Sequence, residues 1–348
     1  MSDPTRVAPE LIAWHARYGR HDLSWQRDPT PYRVWISEIM LQQTQVATVS
    51  EYYARFMQRF PNVATLAAAP LDDVLHLWSG LGYYSRARNL HRAAQLMCEQ
   101  YGGELPATAE LLEQLPGIGR STAAAIRALS AGERGAILDG NVRRVLMRYF
   151  AIESPLKQSA VERRLWQLAE QCTPEEQVAT YTQAIMDLGA MICVRRRPLC
   201  AACPLHEGCR ARRTGRQHHI PAPRPRPVRR TQAVVMLLAQ RSDGSVLLER
   251  RPERGVWGGL WSPPQFPSIE AARLYADTRL SAAEVEPQAR ASLRHAFTHF
   301  DLDITPLLAR CAGPSGVMDG APTLWYNAAQ PDRVGLPAPV TTLIRSLS

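Results

Sequence analysis

Two carboxylates, four cysteines and one glycine-rich turn are the residues of this chain whose types and spacing could do chemistry. Glu38 sits in Val34-Trp35-Ile36-Ser37-Glu38-Ile39-Met40-Leu41, an unusually apolar setting for a carboxylate. Desolvation there raises the pKa and keeps the group protonated near neutrality, as a general acid requires. A solvated helix position is the ordinary alternative for a glutamate. Gln42, one turn on, shares its face. Asp139 precedes Gly140-Asn141-Val142-Arg143-Arg144-Val145, a helix start. It can be a plain N-cap, and a carboxylate beside an emerging helix N-terminus is also placed to stay ionised and to stabilise a sugar cation.

The cysteines run Cys193-x6-Cys200-x2-Cys203-x5-Cys209. Thiolate-only ligation admits zinc or an iron–sulfur cluster. Structural zinc usually takes two paired CxxC knuckles, whereas a single CxxC bracketed by longer gaps suits a loop wrapped around a larger cubic cluster. Leu115-Pro116-Gly117-Ile118-Gly119-Arg120-Ser121-Thr122 lies between a helical pattern ending near Gln114 and another starting near Arg120. Gly117 and Gly119 allow a tight turn, so backbone N–H groups at the start of the second helix can hold a DNA phosphate. That is a helix-hairpin-helix signature, although a plain helix–helix turn has the same composition.

These groups need elements to position them. From residue 10 to residue 190 the apolar spacing is mostly helical, broken by Phe60-Pro61, Ala69-Pro70, Gly102-Gly103, Pro116-Gly117, Gly132, Ser154-Pro155 and Thr173-Pro174. After Cys209 the composition turns to Arg, Pro and His, and residues 221–227 read as a polyproline-like spacer. Beyond it the period changes. Gln232–Gln240 and Ser245–Arg250 flank Ser242-Asp243-Gly244 as a hairpin, Phe300–Thr305 alternates as a half-buried strand, and Ser268–Leu280 and Pro339–Leu347 read as helices. A chain of 348 residues exceeds one hydrophobic core, so two domains are expected.

The net charge of +9 is concentrated: residues 195–230 hold 11 Arg against Glu207 alone, while the flanking regions are nearly neutral. Clustered Arg beside a phosphate-binding turn is the footprint of a nucleic-acid protein, and a solvated linker is the plainer account. No uncharged run approaches the roughly 20 residues that cross a bilayer, and the polar N-terminus carries no apolar secretory core, which together point to a cytosolic protein that does not bind membranes. Seven cysteines, four within 17 residues, suit reduced metal ligands rather than a disulfide framework. Of 41 basic residues only Lys157 is lysine, which disfavours Schiff-base lyase chemistry at a sugar aldehyde.

With these residues in place, the chain from about Leu11 to Leu347 resembles the MutY-type adenine DNA glycosylases of the helix-hairpin-helix superfamily, which also holds endonuclease III. The likeness is carried by Trp35-Ile36-Ser37-Glu38-Ile39-Met40-Leu41-Gln42-Gln43-Thr44-Gln45-Val46, Leu77-Trp78-Ser79-Gly80-Leu81-Gly82-Tyr83-Tyr84, Ile137-Leu138-Asp139-Gly140-Asn141-Val142 and Met186-Asp187-Leu188-Gly189-Ala190-Met191-Ile192-Cys193. The resemblance implies that Glu38 protonates the adenine leaving group, Asp139 stabilises the oxocarbenium-like sugar, and Asn141 orients Asp139 or the water. It places Trp25 and Gln183 in the pocket of the flipped adenine. Gln43 and Tyr83 insert into the base stack, Thr44 and Leu81 touch the opposing base, and the four cysteines ligate a [4Fe–4S] cluster. Endonuclease III-like lyases carry a nucleophilic lysine where Ser121 stands, so a monofunctional glycosylase is implied. The C-terminal half resembles the family's MutT-like domain, whose Phe-Ser-His loop reads 8-oxoguanine and stands here as Phe297-Thr298-His299. Ser268–Leu280 offers only Glu270 and Asp277 where a true Nudix helix is rich in metal-binding Glu, so nucleoside triphosphate hydrolysis is not expected.

The expected architecture is α+β and multidomain. An all-α catalytic region spans 1–212, with a six-helix barrel at about 28–135 and an iron–sulfur cluster domain formed from 1–27 and 136–212. An Arg/Pro-rich linker follows at 213–230, and a Nudix-like 8-oxoguanine recognition domain at 231–348. The expected partner is double-stranded DNA bearing adenine opposite 8-oxoguanine or guanine, bound by a monomer, nucleoid-associated in a bacterium. An endonuclease III-like glycosylase/lyase and a non-catalytic DNA-binding module are the competing readings.

Overall fold

The computed structural model describes residues 2–153, 159–222, 228–280, 282–285, 290–311 and 322–347. Lys157 and residues 223–227 of the expected polyproline spacer lie outside them. Helices α1 (Val7–Tyr18), α2 (Pro31–Leu41), α3 (Val46–Arg59), α4 (Val63–Ala68), α5 (Leu71–Trp78), α6 (Ser85–Tyr101), α7 (Ala109–Glu113), α8 (Arg120–Ala131), α9 (Gly140–Tyr149), α10 (Ser159–Cys172), α11 (Val178–Asp187) and α12 (Arg210–Arg213) come first. Strands β1 (Arg230–Gln240), β2 (Val246–Arg250), β3 (Trp261–Ser262) and β4 (Gln265–Phe266) follow, then α13 (Ile269–Arg279), β5 (Ala282–Val285), β6 (Leu293–Ala296), β7 (Phe300–Cys311), β8 (Thr323–Tyr326) and α14 (Ala338–Arg345).

The chain divides into two compact units, 1–68 with 89–225, and 69–88 with 226–348. The segment 69–88, expected within the helical barrel, instead groups with the sheet, and α6 spans that division. The cause is local: Trp261 Nε1 donates to Asp72 Oδ1 at 3.2 Å and Tyr84 Oη to the Leu336 carbonyl at 3.1 Å, contacts across hundreds of residues that no local pattern encodes.

In the helical unit each element starts where its chemistry dictates. Thr30 caps α2 by accepting from Arg33 N at 3.3 Å, with Pro31 preset for the first turn. Gly132 closes α8 in the left-handed conformation (φ 69°), where a side chain would be strained. α2 packs on α3 and α8, while α1, α9 and α11 share a core that includes Leu11, Val145, Leu146, Ile185 and Leu188. In the other unit the sheet runs β3-β2-β1-β7-β5, with β1 and β7 parallel from Arg230↔Phe300 to Gln240↔Arg310. The β1–β2 hairpin turns through Gly244 (φ 82°), and Asp243 accepts from Ser245 N at 2.9 Å. β7 extends six residues past the expected Thr305. Its alternation stops at Leu307-Leu308-Ala309, all buried, because this central strand is covered on both faces. α13 covers one of those faces with Ala272, Ala276 and Leu280.

Trp35 is fully buried on α2. Trp35→Ala should therefore cost about 3–5 kcal/mol, read as a lowered urea-unfolding midpoint by far-ultraviolet circular dichroism.

Candidate active site

α2 buries Val34, Trp35, Ile36, Ile39 and Met40, and this leaves Glu38 half-buried among apolar neighbours. Burial pushes its carboxyl up to about 7, and the nearby charge of Asp139 adds to the rise. Asp139 arrives on the buried stretch Ala136-Ile137-Leu138 and caps α9, accepting from Val142 N at 2.7 Å. The capping reading and the catalytic reading are thus compatible. Its titration does not follow the helix terminus alone. Burial raises its pKa, while the N–H groups of Val142 and Asn141 and the charges of Arg144 and Arg143 pull the other way without winning. Ser121 holds the approach: its Oγ accepts from Leu138 N at 2.9 Å, so the hydroxyl is turned inward, one residue from Asp139.

Asn141 Oδ1 accepts from Arg144 Nη2 at 2.9 Å. The same guanidinium reaches the Gly189 and Cys193 carbonyls, each at 2.6 Å. A Cβ on Gly189 would lie 2.6 Å from Asn141 Cβ, so only glycine admits this approach. One turn along α9, Arg148 donates to the carbonyls of Val194 (2.7 Å), Ile220 (2.8 Å) and Arg195 (3.1 Å), and its Nη1 lies 3.4 Å from Cys193 Sγ. Cys193, Cys200, Cys203 and Cys209 are half-buried free thiols. Burial pushes Cys203 up to about 12 and also raises Cys200 and Cys209, and each of the three is raised further by Cys193. Among the described residues no group of three His, Cys, Asp or Glu forms a site that could hold a metal ion.

Trp25 is buried and meets Tyr53 edge-on at 5.5 Å. Gln183 Nε2 donates to Asp187 Oδ1 at 2.8 Å. Asp187 is fully buried and also accepts from Arg20 N and Nε at 2.8 and 2.9 Å. Burial alone would raise its pKa, but the hydrogen bonds from His15 and Arg20 prevail and hold it below the ordinary carboxylate range. Gln42 ends α2, Gln43 is left-handed (φ 60°), and Thr44 N donates to the Leu41 carbonyl at 3.3 Å. Gly117 (φ 81°) turns against Asn89, while Gly119 caps α8 with open space where a side chain would stand.

In the other unit Gly80, Gly82 and Tyr83 all have positive φ, and the turn exposes Tyr83 (46%) while burying Leu81 (6%). The turn therefore presents the ring and not the leucine. Phe297-Thr298-His299-Phe300 is a tight hairpin turn between β6 and β7, closed by Phe297 N to the Phe300 carbonyl at 2.8 Å, with Thr298 and His299 exposed at its tip.

Residues 36–171 match the HhH-GPD superfamily base excision DNA repair protein, and residues 234–346 match the NUDIX domain. Over 340 residues the chain is 37% identical to the adenine DNA glycosylase of Buchnera aphidicola subsp. Acyrthosiphon pisum (strain APS), covering 97% of this chain and 96% of that one. The chain belongs to the adenine DNA glycosylases. It is also 37% identical over 322 residues to the adenine DNA glycosylase of Homo sapiens, covering 77% of this chain and 58% of that one. Its backbone is similar to a thermostable thymine-DNA glycosylase (26% identity, TM-score 0.55, 61% of this chain and 97% of that one). It is likewise similar to an endonuclease III in a non-covalent DNA complex (22% identity, TM-score 0.53, 62% and 99%).

This adenine DNA glycosylase is therefore a hydrolase acting on N-glycosyl bonds in base excision repair. The parts played by Asp187, Arg144 and Arg148 were not legible in the sequence. Arg144 and Arg148 stand four residues apart on α9 with Arg143 beside them, and nothing local marks which carbonyls they meet; Asp187 finds its Arg20 partner 167 residues away. Glu38 has a thermodynamic consequence. Between its ordinary 4.5 and about 7 the folded glycosylase holds a proton that the unfolded chain has released. The stabilising effect is complete below pH 4.5 and is lost as pH rises through about 7. Glu38→Gln should flatten this dependence. Relative to the parent, the variant should gain on the order of 2–3 kcal/mol between pH 4 and pH 8, measured by urea unfolding at both values. An offset that does not change with pH would refute the burial of this proton.

Proposed function

We propose that this glycosylase hydrolyses the N-glycosidic bond of adenine mispaired with 8-oxoguanine or guanine in double-stranded DNA, leaving an abasic site and an unbroken strand. The observation that carries the reading is the Glu38 carboxyl, titrating at about 7 beside Asp139. Extruding adenine costs a few kcal/mol of lost stacking and pairing. Phosphate contacts at Gly117 and Gly119 and wedges from Gln43 and Tyr83 offset it. Thr44 meets the opposing base while Leu81 stays buried beneath the Tyr83 turn, and Trp25 and Gln183 line the pocket, with Gln42 beside Glu38. Asp187, by accepting from Gln183 Nε2, holds that amide in one orientation.

Glu38 donates its proton to adenine N7. The C1′–N9 electrons pass to the departing base, and the oxocarbenium-like sugar is met by the Asp139 carboxylate, as paired carboxylates flank other glycosidic bonds. Asn141 orients the water, whose oxygen bonds C1′ while its proton passes to a carboxylate. With Ser121 spent on Leu138 N, no amine stands there to form a Schiff base.

Cys193, Cys200, Cys203 and Cys209 are the residues that would hold a [4Fe–4S] cluster. They are half-buried free thiols, and Arg148 Nη1 lies 3.4 Å from Cys193 Sγ. When bound, the cluster would tie the loop into one piece. Thr298, at the hairpin tip, senses the oxidised base through its hydroxyl.

Single-turnover excision from adenine:8-oxoguanine duplex, with alkali to reveal abasic product, should fall as pH rises through about 7. Glu38→Gln should lose at least about 10²-fold in rate with duplex affinity retained. Borohydride should trap no adduct on abasic DNA, and strong trapping would point instead to a lyase. Freshly purified protein should be brown, with four iron and four sulfide per chain, and Cys203→Ser should lose both colour and iron.

A further inference from the structure

Within one compact unit the turn that exposes Tyr83 and the hairpin that exposes Thr298 are joined by a short chain of contacts. Arg86 N donates to the Tyr83 carbonyl at 2.8 Å and Arg88 N to the Tyr84 carbonyl at 3.1 Å, so the turn runs directly into α6. From that first turn the half-buried Arg88 sends Nη1 to the Gly258 carbonyl at 2.5 Å. Trp257, the adjoining residue, is buried with φ 55°, a conformation strained for a bulky side chain and kept only where its surroundings impose it. A Cβ on Gly258 would sit 2.1 Å from the Glu253 carbonyl oxygen, so the backbone here is closed upon itself. The Trp257 ring lies 5.6 Å from Phe297 and 5.8 Å from His295. Phe297 then stacks on Phe300 at 4.6 Å and 15°, and these two rings bracket Thr298 and His299.

The far side of the turn is anchored in the same unit. Leu336 N donates to Ser79 Oγ at 3.3 Å, and Tyr84 Oη donates to the Leu336 carbonyl. The turn is thus tied to the segment that leads into α14.

The geometry points to Arg88 and Trp257 as positioning residues that set Tyr83 and Thr298 in one fixed spacing, so that the base opposite the target adenine is read by both together. This rests on the reading of Thr298 as the sensor of the oxidised base. Neither residue touches DNA in this account. Arg88 donates to the carbonyl of Gly258, next to the strained Trp257, and the Trp257 ring meets Phe297 and His295 of the hairpin. A guanine lacks the extra oxidised group, so its recognition gains nothing from the correct placement of Thr298. Ser79 and Tyr84 still hold the Tyr83 turn to Leu336 when Arg88 or Trp257 is replaced, so the hairpin alone shifts and the cost falls on the 8-oxoguanine substrate.

The test compares Arg88→Gln, Trp257→Leu, Trp257→Phe and Thr298→Val in the full chain, using single-turnover excision of adenine opposite 8-oxoguanine and opposite guanine. Arg88→Gln and Trp257→Leu should each reduce the preference for 8-oxoguanine about tenfold, with the guanine duplex cut within about twofold of the parent rate. Trp257→Phe should restore most of the preference, because it keeps an aromatic face. Arg88→Gln combined with Thr298→Val should be no worse than Thr298→Val alone, since both act through one contact. Equal slowing on both duplexes would mean that the two residues merely hold the fold together, and the inference fails. If Thr298→Val lowers the preference while Arg88→Gln and Trp257→Leu leave it intact, the inference fails and the sensor reading stands. If Thr298→Val changes nothing, the sensor reading itself is wrong and the inference falls with it.

Discussion

A carboxyl group kept out of water beside a second carboxylate is the constraint on which the helical unit depends. Removing Glu38 from solvent would be a liability in an ordinary core, because the charged form loses its hydration without a cationic partner. Here that penalty moves the proton affinity to about 7, where the group can hold a proton and still release it. Asp139 lies near enough to raise that affinity further. At the start of α9 the helix N–H groups and Arg143 and Arg144 oppose, without cancelling, the rise that burial causes in its own pKa.

α9 is then a beam with the chemistry at one end and the cysteine loop along its side. Arg144 and Arg148 satisfy backbone carbonyls rather than carboxylates, which suits arginine, whose planar fork can serve several acceptors at once. The loop that holds Cys193 is thereby tied to the residue that sits two positions from Asp139. A shift of the loop is a shift of Asn141, because Gly189 leaves no slack between them.

The second unit follows a different logic. Its sheet is an ordinary two-sided layer with β1 and β7 parallel at the centre. The residues proposed to meet DNA are at its margins, on two short turns held in strained backbone or by stacked rings. Segment 69–88 is helical in sequence character but takes its partners from this sheet unit, through Asp72, His76, Ser79, Tyr84 and Arg88.

By itself the sequence determined the helix starts and stops, the hairpin at Gly244, the change of period after the Arg/Pro stretch and the identity of Glu38, Asp139 and the four cysteines as chemical candidates. Each of these is written in neighbours within a few residues, where caps, turn residues and apolar spacing act. Only the tertiary structure decided the direction of the Asp139 shift, the inward use of the Ser121 hydroxyl, the network around Asp187 and the allegiance of 69–88. Those are settled by groups from 17 to more than 250 residues away in the chain, as between Ser121 and Leu138 or Ser79 and Leu336. Desolvation likewise depends on everything that folds over a group, and a linear pattern records only what lies beside it.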